Sequence, residues 1–180
     1  MQKDNSLKLL PLLLIVLGVT ARLLPHPANV APIAAIALFG GRYLPRQYGL
    51  IIPIIAMLIS DYFIGFYGAT MFYVYGAFAL TGLIGWWLKS QKTVGAVLVS
   101  SLGASVLFYL ITNFGVWMDP LSGYAPGVSG LIASLTAGLP FFRNTLLGDL
   151  GYTVVLFGSY ELIKRFATHK MPEKIRNWAI

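Results

Sequence analysis

Two long stretches without a charged residue constrain this chain more than any other feature of its sequence. Residues 62–88 and 93–118 contain no Asp, Glu, Lys or Arg. A helix needs about 20 mostly apolar residues to cross a hydrocarbon core of about 30 Å, so either stretch is long enough. Membrane-spanning β-strands are instead about 10 residues of alternating polarity, a pattern that these stretches lack. The sequence therefore predicts an all-α integral membrane protein.

Six membrane-spanning helices would use most of the 180 residues, of which 57% are apolar and 11% are charged. We therefore expect a single transmembrane domain over residues 1–180, with no room for a folded domain outside the membrane. A short half-helix is expected before the last span, because Pro140 should interrupt the helix there. The predicted spans are 7–24, 30–44, 47–66, 70–88, 93–117 and 141–163, and the predicted half-helix is 131–138.

The distribution of basic residues predicts the orientation of this bundle. With the amino terminus inside, only Arg22 and Arg143 of the 13 Lys and Arg residues lie on the outer side. Cytoplasmic loops carry such an excess, so both termini are predicted to be cytoplasmic. This bias also accounts for the net charge of +7, and we expect no nucleic-acid partner. The alternative for the first span is a signal peptide cleaved near residues 19–21, whose side chains are small.

Polar side chains within the predicted spans collect toward the outer side. A charge at the centre of a span costs about 2.5–3.5 kcal/mol, so each needs a partner or a watery cavity. Asn113 is one of these polar residues, and Tyr109 and Trp117 share its helix face because the three residues are spaced by four. Aromatic walls with a few polar groups are typical of a small-molecule pocket, here opening outward. The polar residues are Arg22, Asp61, Asn113, Arg143, Asn144 and Asp149.

Each of these residues also has a structural interpretation. Asp61 and Asp149 could form ion pairs with Arg22 or Arg143, and Asn113 could join helices by hydrogen bonds. His26 lies between two prolines in the first outer loop and is either a loop residue or a contact for a metal or cofactor. The chain has no cysteine, which excludes disulfides and cysteine-bound metals or clusters.

The polar residues also stand in a set of recognisable motifs, which extend over nearly the whole chain. The motifs are RLLPHPANVAP at 22–32, Gly40-Gly41, Ser60-Asp61 with Gly65, TNFGVW at 112–117, PFFRNT at 140–145 and Gly148-Asp149. This set resembles a family of small, largely uncharacterised bacterial six-helix membrane proteins. That family in turn is similar to the substrate-binding S components of energy-coupling-factor (ECF) vitamin transporters.

The resemblance implies capture of a vitamin or a similar scarce micronutrient at the outer face of a bacterial inner membrane. It also implies one of two arrangements. Either the protein has partners, namely a transmembrane coupling subunit with two ATPases, or it is a transporter that works alone. The implied loops over the site lie between the first and second, third and fourth, and fifth and sixth helices.

The leading hypothesis is therefore a substrate-binding membrane protein for uptake of a small organic nutrient. The main alternative is a structural or assembly subunit, in which the same polar residues pair between helices. A membrane enzyme ranks last, because the spans hold no recognisable catalytic or metal-ligand cluster, and no cofactor is expected. The residues expected to bind the ligand are Asn29, Asp61, Tyr109, Asn113, Trp117, Arg143, Asn144 and Asp149.

Overall fold

The computed structural model describes residues 6–169, with side chains from 9 to 166. This part of the chain folds into six α-helices without a β-strand, which confirms the predicted all-α class. Two 3₁₀ turns, Leu88–Ser90 and Pro120–Ser122, lie in the connections on either side of the fifth helix. The helices are α1 (Ser6–Leu23), α2 (Ile33–Tyr43), α3 (Tyr48–Ile64), α4 (Thr70–Trp87), α5 (Val94–Met118) and α6 (Val128–His169).

Three segments of the described chain are long and apolar enough to cross a membrane: Thr70–Ser90, Val94–Met118 and Val128–Phe166. They correspond to α4, α5 and α6, so the prediction of a membrane protein has support. The other three helices have shorter apolar segments. The shortest is α2, whose 11 residues measure about 16 Å along the axis.

The short helix α2 lies at the centre of the bundle. Every residue from 33 to 41 is buried, and α3, α4, α5 and α6 all pack against it. Glycines allow the closest of these contacts: a Cβ atom at Gly41 or at Gly85 would lie 2.6 Å from backbone atoms of the facing helix. Since α2 is covered on all sides by protein, its length is not set by the thickness of a bilayer.

The predicted half-helix is wrong, because residues 131–138 and 141–163 belong to the one continuous helix α6. Pro140 lies inside this helix and removes a single backbone N–H donor. Neighbouring helices can compensate for such a loss, and α6 packs along α5 at this level. Gly138 contacts the side-chain amide of Asn113 directly, where any larger residue would clash.

The connections define two ends of the bundle. The first end holds the connections 24–32, 65–69 and 119–127, and corresponds to the predicted outer side. The second end holds the connections 44–47 and 88–93 and the carboxyl-terminal part of α6. At the second end Arg42 donates to the carbonyl of Leu88 (2.7 Å) and Lys89 donates to that of Leu44 (2.6 Å). These bonds tie the two connections together.

Candidate ligand-binding site

A buried ion pair joins α1 to α3 below the first end of the bundle. Arg22 Nη2 lies 2.6 Å from Asp61 Oδ1, and the side chains are 14% and 0% exposed. Tyr75 of α4 donates its hydroxyl to the other carboxylate oxygen over 2.7 Å. The Arg22 guanidinium also contacts the sulfur of Met57. The sequence left Asp61 as either a ligand contact or a member of an ion pair, and in the structure it forms the ion pair with Arg22.

Next to this pair lies a cavity of about 340 Å³, which we call the first-end cavity. Helices α2, α3, α4 and α5 supply apolar walls through Ile33, Met57, Val74, Phe78 and Phe108. Polar groups reach it from α1, α6 and the two connections at 24–32 and 65–69. These polar residues are Arg22, His26, Asn29, Tyr67, Thr145 and Asp149.

Asp149 is the buried acid of the first-end cavity. The residue is 3% exposed, and Ser105 of α5 donates its hydroxyl to Asp149 Oδ2 over 2.7 Å. Among residues 9–166, no Lys or Arg nitrogen lies within ion-pair distance of this carboxylate. The predicted alternative for Asp149, an ion pair with Arg22 or Arg143, is therefore not formed. A carboxylate in a largely apolar wall without a cation is unfavourable unless another group satisfies it.

The backbone of the 24–32 connection shapes the mouth of this cavity. Asn29 has a φ of +63°, the left-handed conformation that asparagine tolerates better than most residues. Gly148 of α6 packs against the backbone of Val30, with 3.2 Å between the Val30 Cα and a Cβ built on the glycine. Asn144 donates its side-chain amide to the carbonyl of Ala28 over 3.1 Å. The connection is thus held against α6, one turn from Asp149.

A second cavity of about 350 Å³ adjoins the first and shares Asn29, Val74 and Phe108 with it. Asn113 lines this neighbour, and its side-chain amide donates to the carbonyl of Tyr109 over 2.8 Å. The Tyr109 hydroxyl donates to the carbonyl of Leu135 over 2.6 Å, and its ring packs on Phe142. Tyr109 therefore joins α5 to α6 and borders a small void of about 10 Å³.

Five of the predicted ligand-binding residues line neither of the two cavities at the first end: Asp61, Tyr109, Trp117, Arg143 and Asn144. Trp117 donates its indole N–H to the carbonyl of Ala125 over 3.1 Å and so fastens the 119–127 connection. Asn144 holds Ala28 as described above. Arg143 is exposed on α6, six residues from Asp149 and on a different face of the helix. The structure brings Asn29 and Asp149 together at the first-end cavity and places Asn113 in its neighbour.

The structure adds Tyr67, His26 and Thr145 to the cavity wall, none of which the sequence placed among the ligand-binding residues. Partial burial, together with the negative charge of Asp61, raises the pKa of Tyr67 to about 12. Its hydroxyl remains protonated at neutral pH, and it interacts with the Asp61 carboxylate by a hydrogen bond. Tyr67 stood within a run of aromatic residues, but no spacing rule singled it out, because connections have no helical periodicity.

Comparisons with known proteins complete the description of the site. A family model described as a family of unknown function (DUF6580) matches residues 2–172. No curated protein and no solved structure matches the chain. Within the described residues, no group of three His, Asp or Glu side chains could hold a metal ion.

Proposed function

The chain belongs to the DUF6580 family of unknown function, and from the geometry of its own residues we propose that it is a membrane protein that binds a small organic nutrient for uptake. The proposed ligand is vitamin-like and enters the first-end cavity from the outer side. In this proposal six helices cross a bacterial inner membrane, and both termini are cytoplasmic. The comparisons do not link the chain to S components of ECF transporters, so that resemblance is part of the proposal.

The shape and lining of the first-end cavity support a small-molecule ligand. Ligand pockets in proteins are usually about 300–1,000 Å³, with mostly apolar walls and a few polar groups that fix orientation. The first-end cavity, at about 340 Å³, lies at the lower end of this range, and it shares wall residues with a neighbour of similar size. Phe78 and Phe108 offer ring faces, and these two rings pack on each other with centroids 5.0 Å apart.

Asp149 is the observation that carries this proposal. Arg22 also reaches the cavity, but Asp61 already neutralises it at 2.6 Å. Asp149 has one hydroxyl partner and no cation among residues 9–166. The acid that the cavity wall leaves without an ion-pair partner among these residues is therefore Asp149, which lies beside the aromatic rings of the pocket. A ligand with a protonated amine or another strong hydrogen-bond donor would complete this site.

Ligand-induced stabilisation of purified protein tests the proposal. A ligand that binds the folded state at 100 times its Kd adds about 2.7 kcal/mol of stability. We expect at least one compound from a panel of vitamins and related amines to raise the melting temperature in detergent. Asp149→Asn should abolish this rise, because the amide carries no charge to offer an amine. Asp119→Asn is the matched control, since Asp119 caps the turn at the same end and lines neither large cavity.

A structural or assembly subunit is the second candidate, and the hydrogen bonds at the first end favour it. Asp61, Tyr109 and Asn144 each bind another element of the same chain, as such a role requires. If no compound in the panel stabilises the protein, this candidate replaces the first. Uptake also requires an energy source, so co-purification of a coupling subunit with ATPases would support transport over assembly.

A further inference from the structure

A third large cavity lies at the second end of the bundle, far from the proposed ligand site. It has a volume of about 340 Å³ and opens between α5, α6 and the end of α2. Four charged residues line it: Arg42, Lys92, Glu161 and Arg165. Three of these four residues are basic and one is acidic, so basic side chains predominate on the wall.

Arg42 and Lys92 are two of the basic residues that line this cavity. Arg42 is half-buried and is held by its bond to the carbonyl of Leu88 (2.7 Å), which uses one of the five N–H groups of the guanidinium. Glu161 accepts the hydroxyl of Tyr43 over 2.6 Å. Lys92 is exposed in the 88–93 connection, just before α5, at the rim of the cavity. Charged donors therefore remain available to an anion at this rim.

The rest of the cavity wall is apolar and runs along the groove between α5 and α6. Val97 and Phe157 form its floor, where both are buried. Val94 and Val154 flank it and are 76% and 57% exposed. Both α5 and α6 are long and apolar enough to cross a membrane, so in a bilayer this groove would lead from the basic rim toward the acyl chains.

We propose that this cavity binds an anionic phospholipid, with the headgroup phosphate at Arg42 and Lys92 and an acyl chain along the α5–α6 groove. Basic pockets between membrane helices are suited to anionic headgroups, and Arg and Lys are the usual partners of phosphate. A free phosphate ion would use the basic rim but leave the apolar groove empty. This site is independent of the proposed ligand at the first end.

Lipid retention measured by native mass spectrometry tests the site. The full-length protein in mild detergent is mixed with phosphatidylglycerol, with phosphatidylcholine, or with inorganic phosphate alone. We expect phosphatidylglycerol to remain bound and phosphatidylcholine to be lost. Lys92→Gln should weaken phosphatidylglycerol binding about fivefold, the value of one basic residue near a membrane surface, and Lys92→Glu should weaken it further.

Arg46→Gln provides the matched control, because Arg46 is an exposed basic residue at the same end that does not line the cavity. It should leave phosphatidylglycerol binding unchanged, and unchanged melting temperatures will show that all variants are folded. Equal retention of the two lipids would overturn the proposal, as would equal losses in the variants of Lys92 and Arg46. Binding of inorganic phosphate that competes fully with the lipid would instead identify a free-anion site.

Discussion

The ion pair between Arg22 and Asp61 is expected to be the most sensitive electrostatic contact in the bundle. Asp61 is fully buried, and it accepts hydrogen bonds from the Arg22 guanidinium (2.6 Å) and from the Tyr75 hydroxyl (2.7 Å). Removing one member of a buried pair leaves the other charge uncompensated, which costs about 3–5 kcal/mol. Asp61→Asn should therefore lower stability by that amount. For a chain of this size the corresponding drop in melting temperature is on the order of 10 °C.

A double-mutant cycle separates the ion pair from general disruption of packing. Arg22→Gln combined with Asp61→Asn removes both charges, so its loss should be clearly smaller than the sum of the two single losses. Tyr75→Phe removes only a hydrogen bond to a charged group and should cost about 1.5–3 kcal/mol. The assay is the melting temperature of detergent-purified protein, read by intrinsic fluorescence. Strictly additive losses, or an Asp61→Asn variant that melts like the wild type, would refute this reasoning.

Three further predictions concern residues whose surroundings differ sharply. Gly85→Ala should destabilise the bundle strongly in the same melting assay, because the alanine Cβ would lie 2.6 Å from the backbone of α2. Gly103→Ala is the control on α5: the position has open space, so this variant should be neutral or stabilising by up to about 1 kcal/mol. Arg143→Gln should change the melting temperature by little, because Arg143 is exposed; a large loss would show a partner for it. Thr93→Ala removes the side-chain acceptor for the Ala96 N–H at the start of α5 and should lower the stability of the protein by about 0.5–2 kcal/mol. The melting temperature should fall in Thr93→Ala and be restored in Thr93→Ser.

The sequence predicted well those properties that depend on local composition. The apolar stretches at 62–88 and 93–118 contain the whole of α4 and α5, because an uncharged run of that length has few alternatives to a membrane helix. The predicted third span extended to residue 66, whereas α3 ends at Ile64 and is followed by Gly65, whose positive φ glycine adopts at low cost. α4, α5 and α6 are long and apolar enough to cross a membrane, and the number of helices that do so stays a prediction.

The candidate site was predictable in its residue types but only partly in its arrangement. Asp61, Asp149 and Asn113 were conspicuous as polar groups in apolar spans, and all three lie inward. Which cation pairs with which carboxylate was not predictable, because Arg22 and Asp61 are 39 residues apart and meet only through the packing of α1 on α3. Arg143 followed the same sequence pattern, yet it is exposed.

What the sequence determined by itself is the helical class, the apolar character of α4, α5 and α6 and the identity of the polar residues that these helices must accommodate. The tertiary structure decided that α6 continues through Pro140, that α2 occupies the centre, and that Asp149 lines a cavity without an ion-pair partner among residues 9–166. The physical reason is that a helix is specified by bonds between residues four apart, whereas the partner of a buried side chain is supplied by another helix. Such pairings depend on how closely the backbones approach, which the glycines at Gly41 and Gly85 allow and no local pattern reveals.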